Sequence, residues 1–267
     1  MHPFDTQPDP ADTAVPLTYE LPVDVALGKV DYLEVMGYSD HLITSEIWYR
    51  LLNCGFRLPA AAGTDAFPNF ASLRGPPGLV RVFVHSGTLD HQRWLAGVKA
   101  GRTFVTNAPL LEFSLAGRTM GDELRLPAGS HRLTARVGLR SNVPVDHLEI
   151  VGNGKVVATI PLRGARTTAN DTVSIPVTAS GWYVLRAYSD RAMLPVLDLY
   201  PFASTSPIYV RVGDDPVRSA EDAAFFVQWI ERLERFARAS TAWNAPNEQA
   251  RALRTLAEAR AVFAERL

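Results

Sequence analysis

Hydrophobic and polar positions change rhythm twice along this chain. Up to about residue 110, short apolar runs alternate with segments of helical period. From Leu110 strand follows strand, and after Asp215 only the helical period remains. The stretch that organises the first part is Leu58–Asp65, LPAAAGTD, a run of small apolar residues that halts on Gly63-Thr64-Asp65. It reads as a buried strand. Asp31–Met36, Val80–Val84 and Thr103–Thr106 read as its companions. Helices fit between them. Pro22–Gly28 predicts a short helix closed by Gly28, and Thr44 or Ser45 caps a helix through Ile47, Leu51 and Leu52 that Gly55 ends. Leu89, Trp94, Leu95 and Val98 share one face of a third helix, which stops at Gly101. Phe67–Gly78 holds Pro68, Pro76 and Pro77 and reads as a loop.

The second part predicts seven strands: Glu112–Ala116, His131–Leu139, Val145–Val151, Lys155–Leu162, Thr172–Thr178, Trp182–Tyr188 and Ile208–Val212. Gly152-Asn153-Gly154 marks a hairpin turn between two of them. Short alternating strands at this spacing indicate an immunoglobulin-like or fibronectin-like sandwich, on pattern alone, because no Cys…Trp…Cys signature is present. In the third part Ser219 and Asp222 form a helix cap, and Phe225, Phe226, Trp229, Ile230 and Leu233 mark a helix face. Asn244 or Asn247 starts a second helix with Ala250, Leu253, Leu256, Ala257 and Val262 as its stripe. The pair predicts a helical hairpin packed on the sandwich or on the first part.

Composition narrows the function classes. A hydrophobic fraction of 47% in 267 residues supports a sizeable core and about two domains. A net charge of -1 provides no electrostatic case for nucleic acid or an anionic membrane as partner. Cys54 is the single cysteine, so no intrachain disulfide forms, and no apolar run approaches a membrane span. The opening MHPFDTQPDPADTAVP lacks the basic and apolar regions of a signal peptide. A barrel enzyme of about 250 residues does not fit before residue 110, so a fragment or a reduced protein is expected.

Chemistry has to come from scattered strand ends. The six histidines show no H-x-H or H-E-x-x-H spacing. By position the candidates are His2, Glu34, His41, Asp65 and His85, each at or just past a predicted strand. Carboxylates and imidazoles together suit Zn, Mn or Fe. A carboxylate closing a buried strand is where α/β folds place chemistry, although Asp65 also reads as an Asx turn and Glu34 as a solvent-facing residue. Arg57 and Arg102 read either as clamps for an anionic substrate or as surface charges. Cys54, amid apolar neighbours, reads as a buried inert thiol. G-x-S-x-G and phosphate-cradling glycine motifs are absent.

Three segments carry a resemblance: LPVDVALGKVDYLEVMG (Leu21–Gly37), EIWYRLLNCGFRLPAAAGTDAF (Glu46–Phe67) and WLAGVKAGRTFVTNAPLLEF (Trp94–Phe113). They resemble CehA/McbA-type metallohydrolases of the PHP (polymerase and histidinol phosphatase) superfamily, over roughly Met1 to Val151. The resemblance implies a distorted β/α barrel with metal ions at the carboxyl ends of its strands, so residues 1–109 would form a partial PHP-like metallohydrolase barrel. Joined to the strand and helix patterns above, this predicts an α/β plus all-β chain, with 110–214 an immunoglobulin-like sandwich and 215–267 a C-terminal helical hairpin. It implies hydrolysis of ester, carbamate or phosphoester bonds by a metal-activated water. His2-Pro3 matches the family's H-P ligand motif and Asp65 its late aspartate ligand. Glu34 takes the acidic position after H-P, and His41 that of an extra ligand or proton donor.

The family's amino-terminal H-x-H pair is not in this sequence, and Phe67 stands where many superfamily members carry histidine. His2 and Asp65 alone are half of the three or four protein ligands such a metal needs. The expectation is therefore an incomplete hydrolase whose small-molecule ester or phosphoester site needs a missing amino-terminal barrel half. The alternative is a non-catalytic binding or structural module built on the sandwich and hairpin.

Overall fold

The first elements are set by their caps. Pro22 opens α1 (Leu21–Ala26), and Gly28, at φ 66°, turns the chain toward β1 (Leu33–Met36). Helix α2 (His41–Asn53) begins earlier than expected. Its cap is Asp40, whose carboxylate accepts the Ile43 N–H at 2.8 Å. Thr44 and Ser45 are occupied inside the helix: Thr44 Oγ1 accepts the Phe4 N–H at 2.9 Å and Ser45 Oγ donates to the His41 carbonyl at 2.7 Å. Gly55, at φ 84°, ends α2 as expected. Strand β2 (Ala60–Ala62) then runs parallel to β1, with Leu33 opposite Ala60 and Glu34 opposite Ala61. The computed structural model describes residues 4–14, 17, 19–67, 76–245 and 247–267.

Strand β3 (Arg81–Val84), α3 (His91–Lys99) and β4 (Thr103–Thr106) follow. Strand–helix alternation predicts parallel pairing here, but β3 and β4 are antiparallel, with Arg81 opposite Thr106. All seven strands predicted after Leu110 are present: β5 (Leu110–Leu115), β7 (His131–Arg140), β8 (His147–Gly152), β9 (Lys155–Thr159), β10 (Thr168–Val177), β11 (Gly181–Tyr188) and β13 (Ile208–Val212). Two more, β6 (Glu123–Leu126) and β12 (Phe202–Thr205), were not expected. The β8–β9 hairpin turns at Asn153 and Gly154, both at positive φ.

One sheet runs β10-β7-β5 and a larger one β3-β4-β12-β11-β13-β6, with β8 and β9 attached through β11. The ladder crosses residue 109, because β4 pairs antiparallel with β12. The two sheets face each other over Phe113, Val137, Ile150, Leu185 and Ile208. Strand β11 is buried on both faces: Trp182 and Val184 look the other way, into a second core with Trp48, Leu51 and Phe226. That double burial explains its near-continuous apolar run.

Helices α4 (Ala220–Ala239) and α5 (Glu248–Ala264) form the expected hairpin, with Ser219 capping α4 through the Asp222 N–H. The hairpin packs on α1 and α2, joining Phe226, Trp229 and Phe263 to Phe4 and Leu21. The α5 stripe is corrected. Ala259 and Phe263 are buried, while Ala250 and Ala257 are exposed. The predicted α3 face also changes: Val98 is buried, but Leu89 is fully exposed and Trp94 and Leu95 are 39% and 38% exposed. The result, among the described residues, is a mixed α/β fold with largely antiparallel sheets, two parallel strand pairs, β1–β2 and β6–β13, and five helices. No barrel closes among the described residues. No described helix is long and apolar enough to cross a membrane.

Candidate functional site

Parallel pairing puts the carboxyl ends of β1 and β2 side by side, the arrangement expected of a strand-end site. The Gly63 N–H donates to the Met36 carbonyl at 3.1 Å and continues the ladder into the turn. Thr64 Oγ1 then donates to the Val80 carbonyl and accepts the Val80 N–H, both at 3.1 Å, which pins the turn against the chain leading into β3. Asp65 follows at φ 54°, a left-handed conformation that aspartate tolerates better than most residues. What favours glycine at position 63 is space rather than φ. A Cβ there would lie 2.7 Å from Glu34 Oε1 and 4.0 Å from Asp65 Oδ1. The two carboxyl groups thus converge on one point. Burial, and then the Asp65 charge, push the Glu34 carboxyl up to about 7.

Glu34 and Gly63 line a cleft of about 730 Å³ whose far wall is Trp94, Leu95 and Lys99 of α3. Thr64 lines a second cleft of about 380 Å³ with Gly37, Leu197 and Asp198. Gly63 lines the first cleft and Thr64 the second, while Asp65 lines neither.

His41 is completely buried and lines neither cleft. Its Nε2 lies 3.0 Å from Asp198 Oδ2, which also accepts Asn107 Nδ2 at 2.8 Å. Burial alone would raise the Asp198 carboxyl. The hydrogen bonds from His41, Asn107 and the Leu199 N–H outweigh it and hold the group below the usual carboxylate range. An ionised Asp198 makes His41 Nε2 the donor. The buried His41 Nδ1 has no hydrogen-bond partner among the described residues. In this arrangement His41 supports Asp198 and is not aimed at Glu34 and Asp65.

Arg57 precedes β2, at the end opposite Asp65. It pairs with Glu123 of β6 and lies over the Tyr209 ring at 4.5 Å. The cavity it lines, about 430 Å³, contains none of Glu34, His41 and Asp65. Arg57 is thus not brought together with Glu34 and Asp65, and its partner sits on a strand the sequence pattern does not reveal. His85 follows β3, its carbonyl accepting Arg102 Nε at 3.3 Å. Cys54 is buried, its thiol pushed up to about 12 mainly by desolvation, which fits an inert group. His2 lies outside the described residues.

As donors for a divalent ion, Glu34 and Asp65 would supply hard carboxylate oxygens beside Gly63. Two like charges held together, one with a raised pKa, are what a cation would relieve. Among the described residues no group of three or more His, Cys, Asp or Glu is placed to hold a metal ion, so Glu34 and Asp65 stand as a pair of carboxylates.

Asp198 and Asn107 were missed by sequence reasoning. Asp198 ends no predicted strand, and 157 residues separate it from His41. Comparison with protein-family models, with curated proteins and with solved structures returns no match.

Proposed function

We propose that the chain is the carboxy-terminal part of a CehA/McbA-like metal-dependent hydrolase of the PHP superfamily, acting on ester, carbamate or phosphoester bonds. In this reading β1 and β2 belong to a partial PHP-like barrel, and the facing sheets form an immunoglobulin-like sandwich. The observation that carries it is that the carboxylates of Glu34, from within β1, and of Asp65, just past β2, both lie within 4.0 Å of a Cβ built on Gly63, where two parallel strands run side by side. Glu34 and Asp65, with His2, would hold Zn, Mn or Fe, which when bound supplies an activated water and polarises the scissile oxygen. Thr64 keeps the Asp65 turn in place, and Gly63 has no side chain to crowd the two carboxylates beside it.

Calorimetric titration of Mn²⁺ and Zn²⁺ into the purified chain, repeated with Asp65→Ala, tests the site. Chromogenic acetyl, carbamoyl and phosphoryl esters test the reaction. Ion binding that Asp65→Ala abolishes is the expected result. No binding, or binding indifferent to that change, removes catalysis from this chain.

A second reading follows from α3. Trp94 and Leu95 are more than a third exposed and Tyr32 is 50% exposed, and all three line the cleft that holds Glu34. An amino-terminal barrel half carrying H-x-H, supplied as a separate polypeptide, would cover them and complete the ligand shell. Co-purification of such a chain supports this reading, and a monodisperse lone chain with metal affinity intact opposes it.

A further inference from the structure

Between β11 and β12 the chain makes a loop closed at its base by the Ser189 N–H donating to the Pro201 carbonyl at 3.0 Å. Val196 anchors the loop in the protein, but Leu194, Leu197 and Leu199 are 80%, 58% and 52% exposed. An exposed leucine alone means little, but these flank a side chain held from several directions. Asp198 Oδ2 accepts His41 Nε2 and Asn107 Nδ2, and its Oδ1 accepts the Leu199 N–H at 2.8 Å. Asn107 in turn donates to the Tyr200 carbonyl and accepts the Phe202 N–H, both at 2.8 Å. The backbone that presents the leucines is therefore fixed from α2 and from the end of β4. A rigid support under exposed apolar side chains is how recognition surfaces are built.

The leucines are also in a telling place. Leu197 and Leu199 line the 380 Å³ cleft opposite Gly37 and Thr64, the residues that follow β1 and β2. The apolar wall thus runs up to the turn that carries Asp65. The charged residues lining this cleft are Asp5 and Asp198, with no Lys, Arg or His among its described lining residues.

We propose that Leu197 and Leu199, held by the Asp198–His41–Asn107 clasp, are specificity residues that take the apolar group of an uncharged substrate, and that the acidic lining disfavours anionic ones. The word substrate rests on the hydrolase reading, but the binding surface does not.

The test uses 1-hexanol and hexanoate as probes on the full, metal-free chain at neutral pH, followed by ¹H–¹⁵N spectra. Hexanol is expected to shift the amides of Thr64, Leu197 and Leu199. The double variant L197S/L199S is expected to weaken hexanol by about tenfold, as removal of apolar contact requires. Hexanoate should bind more weakly than hexanol, and Asp198→Asn should narrow that gap. Both leucines are exposed, so the double variant should melt with the wild type; Leu197→Gln alone provides the same reading should it not. Hexanol shifts confined to Trp94 and Leu95, affinity unmoved by the leucine changes, or hexanoate binding as tightly as hexanol would each overturn the proposal. Hexanol bound at the leucines with no divalent-ion affinity keeps the wall and sinks the hydrolase. Ion affinity with no hexanol shift does the reverse.

Discussion

Glu34 Oε1 and Asp65 Oδ1 both lie within 4.0 Å of the point where a side chain on Gly63 would begin. The unfolded chain releases the Glu34 proton near the ordinary value of 4.5, whereas burial and then Asp65 make the folded protein keep it until about 7. Between those values the folded state binds more protons, so the stability contributed by this group falls as pH rises from 4.5 through 7, and the loss is complete above. Glu34→Gln removes the titration. The metal-free variant should melt above the wild type at pH 8 and level with it at pH 4. A melting gap that does not change with pH would refute this.

Gly63→Ala probes the same point without touching a carboxylate. The new Cβ would meet Glu34 Oε1 at 2.7 Å, the far end of a flexible side chain, so the carboxyl should swing away while the backbone stays. Stability should change by less than about 1 kcal/mol. Divalent-ion affinity should drop at least about tenfold, as it does when a ligand is displaced. Calorimetric titration with a thermal melt as control measures both, and unchanged affinity would mean that the carboxylates do not share an ion.

The parts of this arrangement that were legible in the sequence are the local ones. Asp65 showed itself because a run of small apolar residues stops just before it, and the Asn153-Gly154 turn because two successive positive φ angles demand such residues. Strand β12 hid because all of Phe202–Thr205 is buried, which erases the alternation that marks a half-exposed strand. The α2 start was misplaced because Thr44 and Ser45 are good caps in isolation, and only the fold shows their hydroxyls bonded to Phe4 and His41. His41 and Arg57 drew attention as lone polar residues near strand ends. Their partners, Asp198 and Glu123, come from distant strands and loops that no local spacing reveals.

Asp222 joins the helical hairpin to the rest. Its carboxylate accepts Arg50 Nη1 at 2.6 Å and Asn53 Nδ2 at 2.9 Å, and Asn53 Oδ1 accepts Trp182 Nε1 at 2.8 Å. One chain of bonds thus runs from α4 through α2 to β11. Asp222→Ala leaves two donors beside an apolar core and should cost about 2 kcal/mol. The urea midpoint should fall with the slope unchanged. A loss under about 0.5 kcal/mol would show that water replaces the carboxylate freely, as at a surface pair.

The outer face of α3 distinguishes a lone chain from one half of an assembly. Trp94 and Leu95 line the Glu34 cleft but remain 39% and 38% exposed, and Val98 alone of the predicted face is buried. In the lone chain, Trp94→Ser combined with Leu95→Ser removes partly buried surface and should cost no more than about 1 kcal/mol, well below the penalty for a core tryptophan. Were an amino-terminal polypeptide to dock in the cleft, the same two changes would sit at the centre of its interface. They would then weaken association by about 2 kcal/mol or more, since buried aromatic anchors dominate such contacts. Melting curves of the variant alone, set beside its affinity for the H-x-H chain, separate the cases. A large stability loss in the lone chain would mean that α3 already packs fully, which removes the cleft as a docking face.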